Sequence, residues 1–260
     1  MADVTVEPGN SLEVEYAVEN FGDEIDTQDV RLLTNAYQQP TSGVSRWTYD
    51  DPDDTSTAID VWSGLDATID GCTYVTDSAV GSNALISDGI DDRLTVSNND
   101  LFDIGSGESL SASIWIKTTS STSQGVVINK GDSSGGVHDV WDIIANGDGT
   151  FRFSYQDSSS SLTIDTSALD DGEYHHLVGV YEQGTGLTGY VDGTEVGSQT
   201  GNIGGWNNSL PLVIGGAVLS SDGASSSTGW YEGIHDDPRI YNKALTASEV
   251  SNLYNNDSIN

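Results

Sequence analysis

The stretch "DGEYHHLVGVYE", residues 171–182, sets two adjacent histidines inside an apolar run. Side chains along a β-strand alternate between its two faces. Tyr174, His176, Val178 and Val180 then share one face, and His175, Leu177, Gly179 and Tyr181 share the other. Apolar residues on both faces mark a central strand that is covered on both sides. Neighbouring histidines that point to opposite sides do not grip one metal ion together. The pair therefore reads as scaffold, and it points to a β-rich chain.

The rest of the sequence agrees. "SASIWIK" (111–117), "TFRFSYQ" (150–156) and "LTGYVDG" (187–193) alternate in the same way, while "GVVIN" (125–129) and "LPLVIGG" (210–216) are short continuous apolar runs. Such runs, set between Gly, Ser, Asp and Asn clusters, read as strands joined by turns. "TTSSTSQG", "DSSSS" and "SSDGASSST" read as solvated loops. One helix is marked in "ALTASEVSNLYNN" (244–256), where Thr246 is placed to cap and Glu249 to reciprocate three residues on. Leu245 and Val250 occupy the staple positions, and Val250 with Leu253 forms an apolar face that can dock on a sheet. Many strands and one short helix predict an all-β sandwich.

Charge sets the environment. Among 260 residues there are 41 acidic and 8 basic side chains, a net charge of −33. Self-repulsion of that size destabilises a compact state at low salt. At molar salt the Debye length falls to roughly 3 Å and the repulsion is screened. The composition suits a halophile or a virus that infects one; a calcium-rich secreted protein is the other reading. Binding nucleic acid requires Lys and Arg facing phosphates, so the charge argues against that partner. The single cysteine, Cys72, excludes a disulfide framework. No run of 18 apolar residues occurs, so no membrane insertion by a spanning helix is expected. "MADVTVEPGNSLEVEY" has neither the basic start nor the apolar stretch of a secretory signal, so either a signal has been removed or the chain reaches its place without secretion, as a virion component assembled inside a host cell does.

Residues 1–43 read as a separate segment, and 44–260 as the main domain. The first offers two strands, "LEVEYAV" and "DVRLLTN", joined by the turn-rich "ENFGDEIDTQ". Two strands alone are marginal in water. This β-hairpin is expected to dock on the main domain, on a neighbouring virion or surface-layer subunit, or on a missing part of a larger sandwich; docking on a neighbour makes a homo-oligomer the expected state. The run "EPGNSLEVEYAVENFGDEIDTQDVRL" resembles the start of adhesion-associated immunoglobulin-like modules of archaeal surface proteins over about 30 residues.

From residue 44 to 256 the chain resembles the laminin-G-like, concanavalin A-like jelly-roll family. Four blocks carry the resemblance in order: "SDGIDDRLTV" (87–96), "SLSASIWIKT" (109–118), "DGEYHHLVGVYEQGTGLTGYVDGTEVGS" (171–198) and "GIHDDPRIYNKALTASEV" (233–250). The resemblance implies a two-sheet antiparallel jelly-roll sandwich with a short C-terminal helix. It leaves function open, since one fold hosts many functions. It also implies a structural calcium ion where the "DGIDD" hairpin approaches the last strand, with Asp88, Asp91 and Asp236 as ligands. The alternative for these aspartates is turn formation and a salt-adapted surface. Pro238 stands where the family has valine, and proline donates no ladder hydrogen bond, so the strand is expected to be an edge or bulged there.

Catalysis is disfavoured. The laminarinase-like enzymes of this fold carry a Glu-x-Asp-x-x-Glu strand, and nothing from residue 44 onward matches it. Glu24, Asp26 and Asp29 come near the pattern but fall outside the sandwich. No Gly-x-Ser-x-Gly elbow occurs. For sugar binding the useful groups are aromatic plates on loops. Trp206, Trp230, Tyr231 and Trp141 are the candidates, while Trp47 and Trp115 read as core. For Trp206 and Trp230, capping the sandwich edge is the competing role. The sequons "NNS" (207–209) and "NDS" (256–258) occur in an Asn/Ser-rich chain where such triplets arise by chance. The sequence is thus read as a non-enzymatic surface protein for high salt. The first expectation is a turret, spike or fibre of a halophilic archaeal virus that serves assembly or attachment to cell-surface glycans. The second is a carbohydrate-binding or adhesion module of a secreted cell-surface protein, and the third a glycan-cleaving enzyme.

Overall fold

The structure is a computed structural model that describes residues 43–121, 124–132, 139–205, 208–216 and 229–257. These belong to one compact unit, Tyr37–Asn260. The docking hairpin expected over 1–43 lies outside the described residues, as does Trp206.

Alongside one 3-10 turn, Asp100–Phe102, sixteen strands and one α-helix are described. They are β1 (Gly43–Arg46), β2 (Thr57–Ala58), β3 (Ala67–Asp70), β4 (Thr73–Val75), β5 (Ala84–Asp88), β6 (Arg93–Val96), β7 (Leu110–Lys117), β8 (Gln124–Asp132), β9 (Asp139–Asn146), β10 (Phe151–Gln156), β11 (Ser161–Asp165), β12 (His175–Glu182), β13 (Gly186–Val191), β14 (Thr194–Thr200), β15 (Leu212–Ile214), β16 (Glu232–Tyr241) and α1 (Ala247–Asp257). One sheet runs β14-β13-β12-β7-β16-β5-β4, with β1 added to β16. The other runs β11-β10-β9-β8-β15-β6-β3-β2. Both are antiparallel, and together they form the expected jelly-roll sandwich.

Strand β12 shows why the histidine run settles the fold. It lies between β13 and β7, so both its edges are paired. Leu177 and Tyr181 enter the core between the sheets. Val178 and Val180 enter a second cluster with Leu245, Val250 and Leu253. The sheet is therefore covered on both faces, by the other sheet and by α1. Burying Val250 and Leu253 contributes about 1.5–3 kcal/mol each. The cap forms as the sequence implies: the Glu249 N–H donates to Thr246 Oγ1 at 3.2 Å, and the Thr246 N–H donates to Glu249 Oε2 at 2.9 Å.

The two histidines separate as alternation requires. His176 is buried against Trp115, ring centroids 4.9 Å apart, and burial lowers its pKa to about 3, so it is neutral. Its Nδ1 has no hydrogen-bond partner among the described residues, and ring stacking holds it. Half-buried His175 meets Asp192 at 2.8 Å through Nδ1 and Asp171 at 3.3 Å through Nε2. Trp47 is core, as expected, with its indole N–H donating to the Leu65 carbonyl at 3.0 Å.

Pro238 sits in a central strand rather than at an edge. Between Asp236 and Arg239 the register of β16 on β7 shifts, because three β16 steps face two on β7. Asp237 adopts φ 48° in this bulge, and its carboxylate takes Arg46 Nε at 2.7 Å and the Arg239 guanidinium. Proline is tolerated because the bulge removes the need for its missing donor. No helix among the described residues is long and apolar enough to cross a membrane.

Candidate functional site

One end of the sandwich gathers most of the chemistry. The turn between β5 and β6, Asp88–Asp92, is wired by its own aspartates. Asp88 Oδ1 accepts the Ile90 N–H at 2.8 Å and the Asp91 N–H at 3.4 Å, and Asp92 Oδ2 accepts the Asp88 N–H at 2.9 Å. Gly89 has φ 77°, and a Cβ there would fall 2.9 Å from Glu232 Cβ, so the hairpin lies directly against the start of β16. Oxygens of Asp88, Asp91 and Asp92 lie within 4.8 Å of one another. Asp92 is buried, and desolvation, then the charges of Asp88 and Asp91, raise its pKa. Glu232 faces Asp88 in the ladder and accepts the Ser120 hydroxyl at 2.8 Å.

Trp230 stands beside this hairpin, two residues before the start of β16. Its ring is partly exposed and carries the Arg93 guanidinium 5.7 Å from the centroid. Arg93 is tethered to Asp70 at 3.2 Å. The backbone here is tight against its neighbours. A Cβ at Gly216 would lie 2.6 Å from the Asp92 carbonyl and 3.1 Å from the Trp230 ring. One at Gly125 would lie 2.7 Å from the Trp230 carbonyl. Small residues thus let the aromatic plate, the arginine and the acidic turn share one rim. On the other side of Glu232 a groove of about 440 Å³ has Ile86 and Ile234 in its wall and Asp88, Lys117, Ser120 and Glu232 among its polar groups. A larger cavity of about 610 Å³ lies among Asp100, Asp103, Glu108, Glu182 and Lys243, and its lining contains no aromatic residue.

Three sequence expectations require correction. Trp141 is no ligand plate: it is fully buried between the sheets, with its indole N–H donating to the Phe102 carbonyl at 2.8 Å. Tyr231 is also buried, and its hydroxyl donates to the Ile234 carbonyl at 3.3 Å. Both fall on inward positions of their segments. Asp236 does not join Asp88 and Asp91. Antiparallel pairing sets Glu232, not Asp236, opposite Asp88, and four residues of strand separate the two by roughly 13 Å. Asp236 Oδ2 instead accepts the N–H groups of Ala79 and Val80, each at 2.9 Å, and burial raises its pKa to about 8. Sequence reading missed Asp92 and Glu232. The third aspartate of "DGIDD" was the available signal for Asp92; Glu232 emerges only from the strand register.

Comparison with curated protein sequences gave no match. Among solved structures, the binding domain of Paraclostridial Mosquitocidal Protein 1 is similar, with TM-score 0.67 and 16% identity over 84% of this chain and 53% of that one. The receptor binding domain of botulinum neurotoxin D has TM-score 0.62 and 16% identity over 83% of this chain and 52% of that one. The chain thus spans about half the length of these two structures. Domain 4 of AbnA, a GH43 extracellular arabinanase from Geobacillus stearothermophilus in complex with arabinotriose, has TM-score 0.60 and 19% identity over 82% of this chain and 98% of that domain. At these identities the likeness shows the fold alone. A family profile, Laminin_G_3, matches residues 88–251, and the chain belongs to the family it describes, the concanavalin A-like lectin/glucanases superfamily.

Proposed function

We propose that this protein is a non-enzymatic glycan-binding module that works on an exposed surface in high salt, with Trp230 and the Asp88–Asp92 rim as its contact. The observation that carries the reading is the partly exposed Trp230 ring held against Arg93 beside a polar rim. A fixed aromatic face with convergent polar groups is what a sugar ring requires of a protein surface. The likeness to two toxin binding domains, and to an arabinanase domain in complex with arabinotriose, supports the same reading. The net charge of −33 supports work in molar salt, where the self-repulsion is screened. The setting we favour is the surface of a virion of a halophilic virus, with residues 1–43 docking onto neighbouring subunits in a homo-oligomer. A module of an extracellular protein is the second setting, and the likeness to a domain of an extracellular arabinanase favours it.

Calcium fits one part of this rim. Two oxygens bound to one ion at 2.3–2.6 Å lie no more than about 5 Å apart. The aspartate turn meets that condition, so Asp88, Asp91 and Asp92 would hold the ion, with Asp236 outside the set. Bound there, calcium would neutralise the turn and fix its shape. Calcium added to chelator-treated protein should raise the melting temperature, and the pair Asp91→Asn and Asp92→Asn should abolish the rise while Asp236→Asn keeps it.

The function is tested on an array of neutral and acidic glycans in molar salt, paired with an assay for released reducing sugar. Retention of defined glycans without sugar release is expected. Sugar release that disappears on replacing a single carboxylate would show an enzyme, and an empty array would remove the glycan reading.

A further inference from the structure

Lysine is almost never fully buried in a folded chain, yet Lys130 is. It lies on β8 between its ladder partners Trp141 of β9 and Leu212 of β15, which are buried as well. Its Nζ reaches the segment that leads into β15, donating to Asn208 Oδ1 at 2.8 Å and to the Asn208 carbonyl at 3.3 Å. It also meets Asp103 Oδ1 at 3.0 Å and donates to Asn98 Oδ1 at 2.9 Å. Asp103 follows the 3-10 turn, is 7% exposed and accepts the Asn208 N–H. An amine, a carboxamide and a carboxyl group therefore converge at one buried point.

These groups stand as an amide exchange requires. A desolvated lysine is a nucleophile, because burial favours its neutral form. Burial lowers the Lys130 pKa and raises that of Asp103, against the attraction between the two. Proton transfer from one to the other leaves a neutral amine beside a neutral acid. The Leu210 N–H donates to Asn208 Oδ1 at 3.0 Å, so a fixed donor stands where negative charge develops when the amide carbon is attacked. Asp103 touches both reactants, through Lys130 Nζ and the Asn208 N–H. Asn98 is the lesser candidate, since it is exposed to water while Asn208 is half-buried beside the acid.

We propose that Lys130 and Asn208 join in an intramolecular amide bond that the chain makes by itself, with Asp103 as the proton shuttle. Lys130 gives one ammonium proton to Asp103, and its Nζ lone pair then attacks Cγ of Asn208. The Cγ–Nδ2 bond breaks, and Nδ2 leaves as ammonia with a second proton from Nζ, relayed by Asp103. One hydrogen stays on Nζ in the new amide, and one stays on Asp103. Nothing is oxidised or reduced, and no co-reactant is needed. The bond closes a loop between residues 78 apart in sequence. A closed loop restricts the unfolded chain as a disulfide does, which suits a chain with a single cysteine. The inference stands independently of the glycan reading.

The intact mass of the purified full chain tests the bond. It should lie about 17 Da, one ammonia, below the mass of the sequence. A protease digest should contain a branched peptide that joins the segments around Lys130 and Asn208. Asn208→Ala and Asp103→Asn should restore the full mass, while Asn98→Ala should keep the loss. Asn208→Ala should also melt about 10 °C or more below the linked chain. The full sequence mass in the wild type would overturn the bond. So would the same loss carried by one linear peptide, as cyclisation at Asn146–Gly147 would give. A branched peptide holding Asn98 in place of Asn208 would overturn the assigned partner, and linking that persists in Asp103→Asn would overturn the role of the acid. The wild-type mass and digest decide the bond even where a variant does not fold.

Discussion

Asp192 binds His176 through both of its polar ends: its Oδ1 accepts the His176 N–H at 2.8 Å, and its own N–H donates to the His176 carbonyl at 2.9 Å. Oδ2 of the same residue meets His175 Nδ1 at 2.8 Å. One turn residue, at φ 50°, therefore fixes the start of the central strand β12. Asp and Asn tolerate this backbone region better than other non-glycine residues. Asp192→Ala should cost about 1–3 kcal/mol, because it strands the His176 donor and strains the turn. Asp192→Asn should cost less, since it keeps the backbone preference and an acceptor. Denaturant unfolding of the two variants checks the ranking.

Lys130 is fully buried on the inner side of β8, with Nζ 3.0 Å from Asp103, 2.9 Å from Asn98 Oδ1 and 2.8 Å from Asn208 Oδ1. Removing one member of a buried pair leaves an uncompensated charge. Apart from loss of the covalent link, Lys130→Met should therefore destabilise by about 3–5 kcal/mol. The double variant Lys130→Met with Asp103→Asn should recover part of that loss. Thermal unfolding of the single and double variants gives the coupling.

Asp236 sets a pH dependence with a definite sign. Burial raises its folded-state pKa to about 8, against about 3.9 for an unfolded aspartate. The folded chain holds this proton more tightly, so the stabilisation is complete below about pH 4 and is lost as pH rises toward 8. Asp142, at about 7, acts in the same sense. His175 also does so, since Asp192 raises its pKa, and its share is lost above about pH 6.5. Buried His176 and His235, whose pKa values burial lowers to about 3, act in the opposite sense but only below about pH 6.5, so in molar salt, where charge repulsion is screened, the melting temperature should fall from pH 6.5 to pH 8. Asp236→Asn should flatten the fall without removing it. An unchanged profile in that variant would refute the assignment.

Much of the fold was legible because it depends on local rules. Alternation in 174–181 placed β12 in the middle of a sheet, and Thr246 with Glu249 marked the start of α1. Trp141 and Tyr231 misled because period-two alternation separates two faces without saying which one is buried. Trp141 lies inward because Phe102 offers its indole a carbonyl across the core. Asp236 misled because its distance from Asp88 is set by the register of β16 on β5, a long-range relation that no spacing in the chain encodes. Asp103, Lys130 and Asn208 come from three separate segments, and only the fold brings them to one point.

The central claim is that Trp230 contacts a glycan. It is tested most directly by titrating the best-retained array glycan into wild type and Trp230→Ala in molar salt, with melting temperatures of both. The ring is partly exposed, so the two proteins should melt within a few degrees of each other, while the variant binds about ten-fold more weakly or worse. Equal affinity of two equally stable proteins would contradict the claim.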